Sequence, residues 1–188
     1  MNSPIPERPI WFNKLPSIFI GHNDAIILPE KKEQVYESEA EVAILISKAL
    51  YKSNTSECEK AIESFSCAQD ITARTIQRID KKNGNPWLRS KNIKTFGVLG
   101  PKWQKYPGWN LFKNFTLSGW RNNKCHQKAL LNNMIFSPAK ALAEISHWHP
   151  INPGDVLFLG TPAGVGAIFP GDTLEVRCDD LKLQNVVI

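Results

Sequence analysis

Alternating carboxylates are the first residues in this 188-residue chain that could do chemistry. Glu37, Glu39 and Glu41 alternate in the sequence and lead into the apolar stretch 42–46, which is typical of a buried strand. Because residues two apart in a strand point the same way, these carboxylates would crowd one face and repel each other. A cation that prefers oxygen ligands, such as Mg²⁺, Mn²⁺ or Ca²⁺, would relieve that repulsion. A solvated surface strand would show the same pattern, so both interpretations stay open at this point.

The polar segment 69–77 supplies a second group. Asp70 is a possible third carboxylate, and Arg74 and Gln77, three residues apart, would share a helix face. The planar guanidinium of arginine matches two carboxylate oxygens, which suits an acidic substrate. A helix-capping aspartate followed by solvated polar residues explains the segment equally well.

A glycine-rich loop is the third group. A predicted strand at 155–159 runs into Gly160, Thr161 and Pro162, with further glycines at 164 and 166. Glycine lets a ligand approach the backbone closely, although the spacing is not that of a dinucleotide-binding loop. An ordinary β-turn connection is the alternative interpretation.

The elements that would position these groups are predicted from apolar patterning. Strands are predicted at 24–28, 41–47, 111–117, 155–159 and 173–178; helices are predicted at 56–65, from near Asp70 to Asp80, and from Pro138 onward behind a capping Ser137. Strands outnumber helices and do not alternate with them regularly. The pattern therefore predicts an α+β domain that is mainly β.

Composition indicates one ordered domain. The chain is 42% hydrophobic and 22% charged, and no apolar run reaches the ~18 residues of a membrane span. Four cysteines without zinc-site spacing predict free, packed thiols in a reducing, cytoplasmic setting. The net charge of +5 suits a small anionic substrate. The basic residues are not clustered, so nucleic acid is not an expected partner, and neither is a membrane.

The three groups, taken in this order, resemble the fumarylacetoacetate hydrolase family, most closely its small single-domain acylpyruvases and oxaloacetate decarboxylases. The family pattern Y-E-A-E-L-A-V-V-I-G-K is similar to residues 39–48, N-D-V-T-A-R-D-L-Q to 69–77, and P-G-D-x-I-x-T-G-T-P-x-G-V-G to 153–166. Segments 9–17, 91–96 and 134–139 also fit. Each piece alone is unspecific, but the ordered set is specific and spans nearly the whole chain.

This resemblance implies a mixed β-sandwich roll, usually a homodimer, that binds one Mg²⁺ or Mn²⁺ and acts on a small 2-oxo or 1,3-diketo acid. The implied residues are Glu39, Glu41 and Asp70, rather than Glu37, as metal ligands; Lys91 as a catalytic cation; and Arg74, Gln77, Gly160, Thr161 and Pro162 as substrate contacts. The implied reactions are acylpyruvate hydrolysis or oxaloacetate decarboxylation through a metal-stabilised enolate.

Departures from the pattern leave a second hypothesis open. Small family members begin with a segment like G-L-N-Y-A-D-H-A-x-E, whose His and Glu activate water, and the chain is expected to be a single domain, 1–188, that starts after it. His22, His126, His147 and His149 do not match that position. Lys94 also replaces the usual Asp. The alternative is therefore a catalytically impaired member that binds metal or a partner without efficient turnover.

Overall fold

The computed structural model describes residues 6–31 and 33–188, in which strands outnumber helices. The strands are β1 (Phe19–Ile20), β2 (Ala25–Ile26), β3 (Tyr36–Ile46), β4 (Ile62–Ala73), β5 (Gly97–Leu99), β6 (Gln104–Lys105), β7 (Thr116–Arg121), β8 (Lys124–Leu130), β9 (Val156–Phe158), β10 (Gly166–Ala167), β11 (Thr173–Cys178) and β12 (Leu181–Val187). The helices are α1 (Thr55–Ala61), α2 (Arg74–Asn83), α3 (Leu88–Lys91), α4 (Trp109–Phe112) and α5 (Pro138–Trp148). This confirms the predicted α+β class with a mainly β content.

The strands form two mixed sheets. The larger sheet has the order β1-β5-β4-β3-β10, with β6 also paired to β4 and β9 to β3. The smaller sheet has the order β2-β12-β11-β7-β8. Strands β3 and β4 contact β7, β11 and β12 across the interior, so apolar side chains of both sheets share one core. The predicted β-sandwich roll is confirmed.

The antiparallel pair β3–β4 is the centre of the larger sheet. Val42, Ala43 and Ile44 are fully buried, as their continuous apolar run predicts for a strand covered on both faces. The register places Glu39 opposite Asp70. The ladder of backbone hydrogen bonds therefore fixes both acidic positions in mid-strand.

Two helix predictions are wrong in their boundaries. Helix α1 runs from Thr55 to Ala61 rather than over 56–65, and it is capped by Asn54, because Asn54 and Glu57 form a reciprocal capping box. Asp70 lies in β4 and does not begin a helix; α2 starts only at Arg74. Pairing of β4 with β3 on one side and β5 on the other outweighs the local helical pattern.

The strand predicted at 111–117 is also partly wrong. Helix α4 takes the first part, and β7 begins at Thr116. The helical turn brings the Phe112 ring to 4.9 Å from that of Phe65, measured between centroids. Aromatic packing in the core therefore determines the helical conformation of this segment. The predicted start of α5 is confirmed, with Ser137 accepting a hydrogen bond from the Lys140 amide.

The cysteines lie as expected for free thiols. Cys58, Cys67 and Cys178 are buried, and Cys125 is partly exposed. Burial raises the pKa of Cys67 to about 12, so this thiol stays protonated at neutral pH. Within residues 6–31 and 33–188, no helix is both long enough and apolar enough to cross a bilayer.

Candidate metal centre and active site

Three buried carboxylates meet on the β3–β4 pair. Glu39 and Glu41 lie on β3 and Asp70 on β4, and one oxygen from each lies within 4.8 Å of the others. Glu39 is paired with Asp70 in register, and Glu41 is two residues further along the same face of β3. The sheet geometry therefore brings together the three residues predicted as metal ligands. Glu37, the fourth candidate, is not part of this cluster.

Lys91, at the end of α3, is buried against two of these carboxylates. Its ammonium donates to Glu39 at 2.7 Å, to Asp70 at 2.6 Å and to the Thr72 hydroxyl at 2.6 Å. These bonds use all three N–H donors of the side chain. Burial alone would lower the pKa of Lys91, but the carboxylates of Asp70 and Glu39 raise it above its ordinary value. Lys91 is therefore a fixed positive charge at the cluster.

A second ammonium, that of Lys14, reaches the same aspartate. It donates to the other Asp70 oxygen at 2.6 Å and to the Lys91 carbonyl at 2.8 Å. Asn92 holds the segment that carries it, accepting from the Leu15 amide at 2.5 Å and donating to the Asn13 carbonyl at 2.9 Å. Sequence reasoning gave Lys14 no role, although segment 9–17 had been matched to the family pattern.

Arg74 is occupied by acidic and amide partners. Its guanidinium donates to Glu37 at 2.5 Å and also to Glu39 and Gln77. Arg74 and Gln77 therefore share a face of α2, as their spacing predicted. Burial alone would raise the pKa of Glu39, but Lys91 and Arg74 hold it below its ordinary value.

Glu41 is the exception in the cluster. Among the ion pairs of residues 6–31 and 33–188 it has none, and its one hydrogen bond comes from the Gly160 amide at 2.7 Å. Burial, with the nearby carboxylates of Asp70 and Glu39, raises the pKa of Glu41 to about 8. The donor set consists of hard oxygens, and the Glu41 carboxylate, once ionised, has no cationic side chain paired with it among the described residues. It therefore fits a divalent cation such as Mg²⁺ or Mn²⁺.

The loop after β9 is fixed beside this cluster by Gln127, which is buried on β8. The Gln127 amide nitrogen donates to the Thr161 hydroxyl and the Pro162 carbonyl, each at 2.8 Å. Its amide oxygen accepts from the Ala40 amide at 3.1 Å. The Thr161 hydroxyl donates in turn to the Ala40 carbonyl at 2.8 Å. Gln127 was missed because it lies in a stretch, 118–133, that keeps the family pattern poorly.

A cavity of about 1160 Å³ opens next to the carboxylates. The candidate residues that line it are Lys14, Glu41, Asp70, Gly160, Thr161 and Pro162. Within the described part of the chain, the other predicted site residues, Glu39, Arg74, Gln77 and Lys91, are not lining residues. Of the four histidines, His149 alone lines the cavity, stacked on Trp11 with ring centroids 5.1 Å apart.

With this geometry, the comparison with known proteins defines the class. The family model described as fumarylacetoacetate (FAA) hydrolase C-terminal matches residues 1–188. The chain belongs to this family, as the motifs predicted.

Three relatives show the range of activities found among similar proteins. The mitochondrial oxaloacetate tautomerase fahd2 of Xenopus laevis is 33% identical over 195 residues, which cover 100% of this chain and 60% of that one. The structure of a 5-carboxymethyl-2-hydroxymuconate delta-isomerase from Mycobacterium smegmatis superposes with a TM-score of 0.89 at 28% identity, covering 100% of this chain and 72% of that one. Fumarylpyruvate hydrolase from Pseudomonas aeruginosa, solved with Mn²⁺ and pyruvate, shares the fold with a TM-score of 0.89 at 23% identity, covering 97% and 79%.

Proposed function

We propose that this protein is a divalent-metal-dependent enzyme that acts on small 2-oxo or 1,3-diketo acids through an enolate. One observation carries the proposal: among the described residues, Glu41 is a buried carboxylate without an ion pair, and it lines a cavity together with Asp70 of the same acidic cluster. The names of the relatives, a tautomerase, an isomerase and a hydrolase of keto or hydroxy-diene acids, support the same chemistry.

Glu39, Glu41 and Asp70 would hold the metal, which is proposed to be Mg²⁺ or Mn²⁺. Bound there, the ion would supply a Lewis acid for the negative charge that develops on substrate oxygens. The Gly160 amide holds the Glu41 carboxylate in place, and Lys91 orients Glu39 and Asp70. Each protein group is therefore set before the substrate arrives, which is the condition for electrostatic stabilisation.

The ammonium groups of Lys91 and Lys14 would have different roles toward the substrate. Lys91 uses its three donors on the protein, so it would act on the substrate as a buried positive charge. Lys14 uses two donors on residues 70 and 91 and lines the cavity, so its third N–H can be donated to a substrate oxygen. The Thr161 backbone N–H, in the Gly160–Thr161–Pro162 loop that Gln127 locks, would donate to the substrate carboxylate, since the Gly160 amide already donates to Glu41.

A metal-binding protein without efficient turnover is the second candidate. Arg74, assigned by resemblance to the far end of the substrate, is held by Glu37, Glu39 and Gln77 and does not line the cavity among the described residues. This arrangement favours a structural role for Arg74. The homodimer, the cytoplasmic location and the lack of nucleic-acid or membrane partners also stay predictions.

The test is turnover of oxaloacetate and acetylpyruvate with Mn²⁺ or Mg²⁺ and with a chelator. We expect substrate loss with metal only. The product identifies the reaction: enol–keto exchange alone for tautomerisation, CO₂ and pyruvate for decarboxylation, and acetate and pyruvate for C–C hydrolysis.

A matched pair of variants connects this turnover to the cluster. Glu41→Gln is expected to lower metal-dependent turnover by at least about a hundredfold, comparable to the losses measured for disturbed metal shells, whereas Glu30→Gln, at an exposed position, leaves it unchanged. Turnover that survives both chelation and Glu41→Gln would overturn the metal-dependent mechanism. A folded, Mn²⁺-bound protein that consumes neither substrate would establish the second candidate.

A further inference from the structure

The cavity beside the carboxylates is larger and more apolar than a small keto acid requires. Its volume of about 1160 Å³ exceeds the roughly 300–1,000 Å³ of pockets that enclose drug-sized ligands. Apolar side chains from the N-terminal segment, the 134–136 turn, α5 and β9 line it: Trp11, Phe12, Met134, Leu142, Ile145 and Phe158. The polar side chains of Lys128, Asn133 and His149 interrupt this lining.

The acidic cluster and the apolar walls belong to one continuous cavity, since Lys14, Glu41 and Asp70 line it together with the apolar residues. A ligand anchored at the carboxylates by a charged head group would therefore extend along apolar surface. Burial of an apolar chain on such a surface stabilises the bound state in proportion to the area removed from water.

We infer that the preferred ligand is a 2-oxo acid whose chain beyond the keto group is long and apolar. The inference rests on the proposed function, because the metal and Lys14 would anchor its 2-oxo carboxylate. The Trp11 and His149 rings, stacked with planes 9° apart, both line the cavity and add aromatic surface that the apolar chain of the ligand can contact. The head group thus determines where the ligand binds, and the apolar chain determines how tightly.

The test is calorimetric titration of the Mn²⁺-loaded protein with straight-chain 2-oxo acids, from pyruvate to 2-oxooctanoate. A fully buried methylene strengthens binding about fourfold, and a partly buried one about twofold. Over the five added methylenes we expect Kd to fall at least about thirtyfold. A Kd that is constant or rises along the series overturns the inference.

Two tryptophans provide matched variants. Trp11→Glu places a carboxylate against the apolar chain of the ligand, and we expect the pyruvate-to-2-oxooctanoate ratio of Kd values to fall below about threefold. Trp148→Glu changes the same residue type at an exposed position that does not line the cavity, and should keep the full ratio. Equal pyruvate-to-2-oxooctanoate Kd ratios in both variants would show that the apolar chain of the ligand does not bind in this cavity.

Mn²⁺ binding is measured first, as a separate titration. Failure of the folded protein to bind Mn²⁺ overturns the proposed function and, with it, this inference. A flat chain-length series on protein that does bind Mn²⁺ overturns the inference alone.

Discussion

Asp70 and Glu41 belong to the same acidic cluster but have opposite electrostatic surroundings. Asp70 accepts from the ammonium groups of Lys14 and Lys91, each at 2.6 Å. Among the described residues, Glu41 accepts only from the Gly160 amide, and its pKa is raised to about 8. Neutral substitutions at the two positions should therefore have different effects on the stability of the metal-free protein.

Asp70→Asn and Glu41→Gln test this difference by urea denaturation in the presence of a chelator. Asp70→Asn leaves two buried cations short of a partner and should lower the free energy of unfolding by about 3 kcal/mol, the low end for a broken buried pair, because Lys91 keeps Glu39. Glu41→Gln replaces a carboxyl that is largely protonated at neutral pH in the metal-free protein, and should leave stability nearly unchanged. Equal losses in both variants would contradict the assigned partners.

The stability of the metal-free protein should also depend on pH, and the sign of this dependence follows from the pKa of Glu41. Its pKa in the folded protein, about 8, is above the ordinary 4.5. The protonated form is therefore favoured by folding, and this stabilisation is complete below pH 4.5 and lost as the pH rises to about 8. Metal-free wild type should lose at least about 1 kcal/mol relative to Glu41→Gln over this range.

Residues that act through local spacing could be predicted from the pattern itself, whereas residues with partners far away in the chain were predicted only where the family resemblance named them. The alternation of Glu39 and Glu41 indicates a shared face, and the spacing of Arg74 and Gln77 a shared helix turn. Lys14 lies 56 residues from its partner Asp70, so no local pattern reveals the contact. The same holds for Gln127, because its hydrogen-bond partner Thr161 lies 34 residues later in the chain.

At the scale of elements, β8 and the loop after β9 act as one unit. Gln127 binds Thr161 and Pro162, and the neighbouring His126 ring nitrogen lies 3.0 Å from the Gly164 carbonyl oxygen. A Cβ added to Gly164 would lie 2.0 Å from the His126 carbonyl oxygen. Glycine at 164 is therefore required by this close approach.

Gly164→Ala and Gly154→Ala separate the contact from the backbone conformation. Both glycines have positive φ, 101° and 93°, but a Cβ at Gly154 would meet nothing within 4 Å. Gly154→Ala should cost about 1–2 kcal/mol from conformation alone, and Gly164→Ala at least about 2 kcal/mol more, because the loop must move off β8. Thermal and urea unfolding measure both; equal costs would show that the contact is unimportant.

Although β3 begins at Tyr36 rather than at 41, its continuous apolar run was correctly predicted as a strand, and β11, with its alternating pattern, was predicted with its observed bounds. Strand β4 was not, because Asp70 and the residues after it carry the local signature of a helix start. Its conformation is decided by β3 and β5, whose pairing residues lie up to 37 positions away, as for Tyr36 and Ala73. Local secondary-structure propensity holds no information on such distant strand partners.

At the scale of the molecule, the candidate metal centre joins parts that are distant in the chain. Residues from segment 9–17, both central strands and α3 meet within hydrogen-bond distance. An ion bound there would therefore act on the stability of the whole domain, because it binds the folded state and not the unfolded chain.

We expect Mn²⁺ or Mg²⁺ to raise the melting temperature. At a hundredfold excess over Kd, binding adds about 2.7 kcal/mol, which corresponds to roughly 5–11 °C for a domain of this size. Differential scanning fluorimetry with and without chelator measures the shift. Glu41→Gln should abolish it, whereas Glu30→Gln keeps it; an equal shift in Glu41→Gln would place the ion elsewhere.

The two lysines that donate to Asp70 are also synthesised at different times. Lys14 leaves the ribosome before the β3–β4 hairpin, and Lys91 after it. The nascent β3–β4 pair can thus neutralise Asp70 with an ammonium already made, while the second ammonium on this carboxylate, that of Lys91, follows about twenty residues later, a delay of seconds at typical rates of elongation. The order of the chain therefore provides Asp70 with a cation from the moment the two strands pair.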